Sequence, residues 1–420
     1  MEFALPYGKS KISFRLPEGV GVTELKLPEQ KVIENPEDLL FSTFKNPIFS
    51  KPLHKLLEAS KPQTITIVVD DQTRKFPHDK ILIPLLRYME NYGISKESIT
   101  ILIATGVHRE PTFEELISLF GQYVVDFYTI KWNDQRNSEY IYFGETSRGT
   151  PIQINSVYAN ADFKIVVSDV TLHYFAGFGG DRKSVFPGVA SAKSINKNHA
   201  LVMQGIYPGN IESNPIHKDM QEAAEAAGAD FVINVNLDSY GNILDIKSGA
   251  LNDAFMQAVE KYKPTCTISI NKAADVLILS AGGYPFDSNY QQSMKAIMQC
   301  QTAVKPKGIV LYFIKCEKGL GIPAFQQYLE QFPDSQSILK YLQTHEYEQG
   351  MHNVYLYRKF IEEHDVYYIT DLPCEYVEEC LQVKYVDNVQ TLIDQLVTHD
   401  KSIYIIPHGT KVMIEGSSNA

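Results

Sequence analysis

Two rhythms of apolar residues alternate along this chain. Continuous β-branched runs at 64–69, 98–103 and 163–167 predict buried strands, since a strand covered on both faces shows no polar side. Between them, residues 82–92 and the stretch after Pro111 carry apolar residues at helical spacing. Pro84 and Pro111 are expected in first turns, where a missing N–H costs little, and Glu114 and Glu115 suit the positive end of the second helix. Upstream, residues 10–33 mix short apolar runs with Pro and Gly and predict small antiparallel strands at an edge. Pro36 opens a helical stretch that continues to 59, broken by Pro47 and Pro52. Residues 231–237 and 243–246 flank Asp238-Ser-Tyr-Gly-Asn242 as a hairpin, and a helix over 251–262 is expected to stop at Pro264. The second half restarts the rhythm, with strands at 276–279, 308–314, 366–370 and 402–406. Helices at 290–304, 324–331, 335–342 and 389–398 separate them.

This alternation predicts an α/β protein of two domains with mostly parallel sheets. The N-terminal domain is expected over 1–268, the C-terminal domain over 269–415, and a frayed tail over 416–420. In such sheets ligands gather beyond the carboxyl ends of the strands. Three strand ends deliver Asp71 with Arg74, His108, and His173, so these residues are expected to share a site.

Composition narrows the field. A chain of 420 residues exceeds one ordinary core, in keeping with two domains. A formal net charge of −11 argues against a nucleic-acid partner, whose phosphates need a basic surface. The opening Met1-Glu-Phe-Ala-Leu-Pro6 has neither a basic nor an apolar leader region, and no apolar run approaches a membrane span. The five cysteines are widely spaced without a Cys-x-x-Cys pair, as reduced thiols would be. A soluble cytoplasmic protein without membrane partner is the expectation.

The densest chemistry lies between Asp169 and Met203. A strand delivers His173, a glycine-rich loop (Gly177, Gly179, Gly180) delivers Arg182 and Lys183, and a predicted helix delivers His199. The loop is no phosphate loop, because Gly-Lys-Ser adjacency is absent, and Arg182 stands where a dinucleotide fingerprint needs Gly. An imidazole at a strand end can act as general base or as metal ligand, and the pattern alone leaves both open. Lys183 can clamp an anion; crowded by the neighbouring cation Arg182, it can also lose its proton and act as a nucleophile. Asp71 and Arg74 can form a local ion pair, or Arg74 can read a carboxylate through two parallel hydrogen bonds. Gln292 and Lys295 share one helix face by their i, i+3 spacing.

Together, Asp169-Val-Thr-Leu-His173 through Gly-Gly-Asp-Arg-Lys183-Ser, Asp71-Gln-Thr-Arg74, Ala104-Thr-Gly-Val-His108 and Gly282-Gly283-Tyr-Pro resemble the nickel-dependent lactate racemase family. The resemblance covers most of the chain. It implies two α/β domains with the active site in the cleft between them. It further implies a nickel pincer nucleotide (a pyridinium mononucleotide with two sulfur arms) attached to Lys183, with Asp71 near it and His199 on the metal. His108 and His173 would be the paired bases, and Arg74, Gln292 and Lys295 would hold the substrate. The activity implied is racemisation of a 2-hydroxy acid by proton-coupled hydride transfer through a 2-keto acid, with cofactor-synthesis enzymes as further partners. A conventional metal-dependent hydrolase or hydratase, using the three histidines as ligands, is the alternative.

Two departures concern the substrate. Lactate-handling relatives place a tryptophan in the second domain, whereas the single tryptophan here is Trp132, and residues 350–355 offer Met351 and His352 instead. Where relatives place a tyrosine directly before the glutamine, this chain has Gln291, with Tyr290 one position earlier. These leave the reaction type intact and open the substrate to a larger or more polar 2-hydroxy acid.

Overall fold

The computed structural model describes residues 1–416 apart from 75, 206, 207, 239 and 322. The chain forms two compact units, one of Glu29–Gln204 with Gly209–Lys263 and one of Met1–Pro28, Gly205–Pro208 and Pro264–Ala420. The tail expected to fray lies outside the described residues beyond Gly416, which itself closes the strand Met413–Gly416.

The first unit is built on a six-stranded sheet. Its order is Ile243–Gly249, Phe231–Leu237, Phe163–Val170, Ile65–Asp70, Ile99–Ala104 and Thr129–Trp132. All neighbours are parallel except the first pair, which forms the expected hairpin. Every residue of Ile65–Asp70 is buried, which is why this run shows no alternation. Each fully buried Ile or Val there contributes about 1.5–3 kcal/mol. Ile65–Asp70 comes first in the chain, and the sheet grows from it in both directions. The order therefore reverses between Ile65–Asp70 and its neighbour Phe163–Val170. The carboxyl ends of those two strands flank the natural binding crevice of an open α/β sheet.

The second unit carries another six-stranded, all-parallel sheet. Its order is Lys384–Tyr385, Asp365–Ile369, Val304–Phe313, Ala274–Ser280, Ser402–Ile406 and Gly21–Glu24. Residues 1–28, expected in the first domain, belong here instead. Leu5, Tyr7, Phe14, Leu16 and Val20 join Val276, Ile278, Leu311 and Ile405 in one core, and Gly21–Glu24 pairs with Ser402–Ile406. Such long-range burial leaves no mark on local sequence. Of the small antiparallel strands expected over 10–33, Ser10–Arg15 pairs antiparallel with Glu2–Tyr7 in a separate two-stranded sheet, whereas Gly21–Glu24 is parallel at its sheet's edge.

The places expected for Pro84, in a first turn, and for Pro264, as a stop, are both corrected. The helix His78–Asn91 starts earlier than expected, so Pro84 lies inside it, and Asp253–Cys266 runs through Pro264. In the first case the buried face of Ile81, Leu82, Leu85, Leu86 and Met89 outweighs one missing backbone hydrogen bond. The helix expected over 290–304 ends at Cys300, and Val304 already begins a strand. Among the described residues, no helix is long and apolar enough to cross a membrane.

Candidate active site

Asp70 and Asp169 come together at the carboxyl ends of Ile65–Asp70 and Phe163–Val170. The Asp169 amide donates to Asp70 Oδ2 at 2.7 Å, and the Ser184 hydroxyl donates to Asp70 Oδ1 at 3.1 Å. Both carboxylates are buried, and burial, then the Asp169 charge, raises the Asp70 pKa well above the carboxylate range. Neither residue stood out in the sequence. The doubled Asp70-Asp71 at a strand end was the signal available.

Lys183 sits in the short helix Asp181–Val185, partly buried within reach of these charges. Burial first, and the Arg74 guanidinium next, lower its pKa to about 7, against the pull of Asp169 and Asp70. Arg182, which the sequence pointed to as the crowding cation, also lowers it, but by less than Arg74. Arg182 is fully buried and spends its donors elsewhere, on His217 Nδ1 at 2.7 Å and on the carbonyls of Phe178, Ala176 and Gly179 at 2.9, 3.2 and 3.3 Å. Its guanidinium also lies 4.0 Å from the Phe255 ring centroid. Arg182 therefore moulds the glycine loop, and Arg74 is the stronger of the two charges acting on the amine. Arg74 faces Asp169, Asp70 and Asp71, whose charges raise its pKa against burial.

The loop path needs its glycines. Gly180 has φ +123°, and a Cβ there would meet the Phe255 ring at 2.5 Å. At Gly188 a Cβ would stand 2.2 Å from the Ser184 carbonyl oxygen. We expect Gly188→Ala to cost about 2–3 kcal/mol by forcing these segments apart. The urea midpoint should fall at unchanged slope; an unmoved midpoint would show that the loop yields without strain.

His108 follows Ile99–Ala104, and its Nδ1 lies 2.6 Å from Asp71 Oδ2. Asp71 also accepts from the Thr73 hydroxyl at 2.6 Å and the Thr73 amide at 3.1 Å. Burial opposes its ionisation, but His108, Thr73 and Arg74 together hold its pKa below the ordinary value. Asp71 is 3% exposed and His108 49%, so a buried carboxylate orients an accessible imidazole.

His173 lies in the two-residue strand Leu172–His173, paired with Gly177–Phe178. Its ring packs edge-on against Phe175 at 4.4 Å, and Phe175 packs edge-on against His199 at 5.0 Å. One aromatic ring thus stands between the two histidines. His199 ends the helix Ala192–His199, is 8% exposed, and has Nδ1 3.2 Å from Asn198 Oδ1. Asn198 in turn donates to Asp219 at 2.8 Å.

All six residues named from this half of the sequence lie in the first unit. Gln292 and Lys295 lie in the second, on Tyr290–Cys300, where Lys295 donates to Gln292 at 2.7 Å. Tyr290 is a core residue of that unit, fully buried with its hydroxyl 2.8 Å from that of Tyr368. Met351 and His352 begin a helix, Met351–Glu363, that the sequence reading had not placed. His352 is buried with Nδ1 2.5 Å from the Tyr347 hydroxyl.

Among the described residues no three His, Cys, Asp or Glu side chains are grouped to hold a metal ion. The donor set does not fit a metal held by His108, His173 and His199 together.

A lowered amine, an oriented imidazole and paired buried carboxylates at the switch point of a parallel sheet define an α/β enzyme. The family pattern of the lactate racemase N-terminal domain matches residues 7–207, and that of the lactate racemase C-terminal domain matches 270–414. The lactate racemase of Thermoanaerobacterium thermosaccharolyticum is 32% identical over 98% of both chains, and that of Lactiplantibacillus plantarum 32% identical over 80% of both. The solved lactate racemase apoprotein from T. thermosaccharolyticum superposes with a TM-score of 0.88 at 30% identity, over 99% of this chain and 100% of that one. A Thermotoga maritima structure shares the fold at 18% identity, TM-score 0.69, over 93% of this chain and 100% of that one. The chain belongs to the lactate racemase family.

Proposed function

We propose that this protein is a racemase or epimerase of a 2-hydroxy acid, lactate or a larger relative, that works in the cytoplasm with a nickel pincer nucleotide supplied by cofactor-synthesis enzymes. The observation that carries this reading is Lys183, an amine set among Asp70, Asp169 and Arg74 whose pKa is lowered to about 7. An amine neutral near physiological pH can be acylated, and so can hold a nucleotide covalently. His199 would supply the chain's ligand to the metal. The chemistry such a cofactor would supply when bound is reversible hydride acceptance from the substrate's C2, with a 2-keto acid as the substrate's intermediate state.

The chain's own part is grip and proton transfer. His108, held at Nδ1 by Asp71, has Nε2 left to take the hydroxyl proton of one enantiomer and to return it in the reverse direction. His173 would do the same for the other enantiomer, because inversion at C2 swings the hydroxyl to the opposite side. Arg74 would face the substrate carboxylate or the keto oxygen, and Gln292 and Lys295 would provide further donors. Asp71 keeps His108 in one tautomer and would steady the imidazolium that forms.

The test is protein made alongside the cofactor-synthesis enzymes, assayed with single enantiomers of a panel of 2-hydroxy acids for loss of optical rotation. Intact mass should show an adduct on Lys183, with nickel in the sample. Full wash-out of deuterium from C2 into solvent during racemisation would sink the hydride account. His199→Ala should lose nickel on dialysis at least about tenfold faster while its melting temperature stays within a few degrees, since one cleft side chain rarely decides stability. Unchanged nickel retention would remove His199 from the metal.

A further inference from the structure

Two side-chain amides outside the machinery above converge on the segments that carry it. Asn133 and Gln135 follow the edge strand Thr129–Trp132. Asn133 Nδ2 donates to the Ala190 carbonyl at 2.8 Å and the Gly106 carbonyl at 3.3 Å. Gln135 Nε2 donates to the same two carbonyls, at 2.9 Å to Ala190 and 2.6 Å to Gly106. Gln135 Oε1 accepts from the Ala192 amide at 2.6 Å, and the Gly106 amide donates to the Gly188 carbonyl at 2.9 Å. Asn133 is fixed from behind, its Oδ1 accepting from Asn155 at 3.1 Å and from the Tyr140 hydroxyl at 3.3 Å.

The acceptors matter because of what they adjoin. Gly106 lies two residues before His108, whose own amide donates to the Thr105 carbonyl at 2.8 Å. Gly188 lies five residues after Lys183, and Ala192 is the first residue of the helix that ends in His199. Loop carbonyls removed from water need donors, and a single amide or a water would satisfy each of them. Here four bonds from two amides are spent on two carbonyls, and they join the three segments that carry the base, the amine and the buried imidazole.

We propose that Asn133 and Gln135 are positioning residues: they set the spacing between the His108 loop and the Lys183–His199 segment, and so hold the base in register with the reacting carbon. This rests on the racemase reading above. Neither amide touches substrate or cofactor in it, so their effect is on geometry, where a displacement of about 1 Å can cost 10²-fold.

The decisive variant is Gln135→Glu. It keeps the shape and the bond from the Ala192 amide, but turns a carboxylate oxygen on two carbonyls. Before any cofactor is loaded, hydrogen exchange at the Gly106, His108 and Ala192 amides should accelerate at least about tenfold, reporting the opened stitch. After loading, kcat should fall about 10- to 100-fold with KM within about twofold, while the Lys183 adduct forms to the wild-type extent. Leu57→Ala, a core truncation in the same unit, is the control for mere destabilisation and should lower the melting temperature without changing kcat. Unaltered exchange in Gln135→Glu, or faster exchange with kcat unchanged, overturns the proposal. A loaded wild-type protein that racemises nothing instead overturns the functional reading, and the positioning role with it.

Discussion

Lys183→Ala is expected to carry no adduct and to lose activity by at least about 10³-fold, the scale on which removing a covalent group acts. The wild-type amine should also betray itself without any cofactor. With its pKa lowered to about 7, about half of the Lys183 side chains are neutral at pH 7, whereas an ordinary lysine is neutral in roughly a few molecules in ten thousand. A brief pulse of an acylating reagent should therefore label Lys183 ahead of the exposed lysines, read by peptide mass spectrometry. Labelling no faster than theirs would show an ordinary ammonium, and the covalent reading would fall. The same shift fixes a sign in stability. Between pH 7 and the ordinary lysine value the unfolded chain holds a proton that the folded chain does not, so this group makes the fold more stable as pH rises through that window. Lys183→Ala should flatten that rise, which urea titrations at several pH values would detect.

Asp71→Asn is expected to reduce kcat about 10²- to 10⁴-fold, the range usual for general acid–base catalysis, with little change in the Lys183 adduct. Asparagine fills the same space, but its amide cannot stabilise an imidazolium at the 2.6 Å contact with His108. The pH dependence separates this role from packing. The folded Asp71 pKa is lowered, so its contribution to stability is present above the ordinary carboxylate pKa and lost as pH falls through the folded value. The variant should lack that acid limb. Activity within about threefold of wild type would show that His108 needs no carboxylate, and would remove it as the base that the proposed mechanism requires.

The glycine loop, the strand before it and the helix after it were legible, because turn residues and apolar periodicity act over a few positions. Arg182, the chain neighbour of Lys183, does lower the amine's pKa, but it is the weaker of two cations. Arg182 spends its donors on loop carbonyls and His217, and Arg74, more than a hundred residues away in sequence, exerts the stronger effect. Asp70 and Asp169 escaped notice for the same reason, since a carboxylate's role depends on the strand beside it. The helix limits at Pro84 and Pro264 failed more simply. A proline rule weighs one hydrogen bond, and at Pro84 the buried face beside it weighs several side chains.

By itself the sequence determined the α/β rhythm, the hairpin and the family, all of which are written in local periodicity or in contiguous motifs. Only the tertiary structure decided that residues 1–28 complete the second unit's core, that the sheet order reverses beside Asp70 and Asp169, and that Asn133 and Gln135 both donate to the Gly106 and Ala190 carbonyls. Those facts depend on which strand lies next to which. That choice is made by burying surface between residues far apart in the chain, and no short stretch of sequence encodes it.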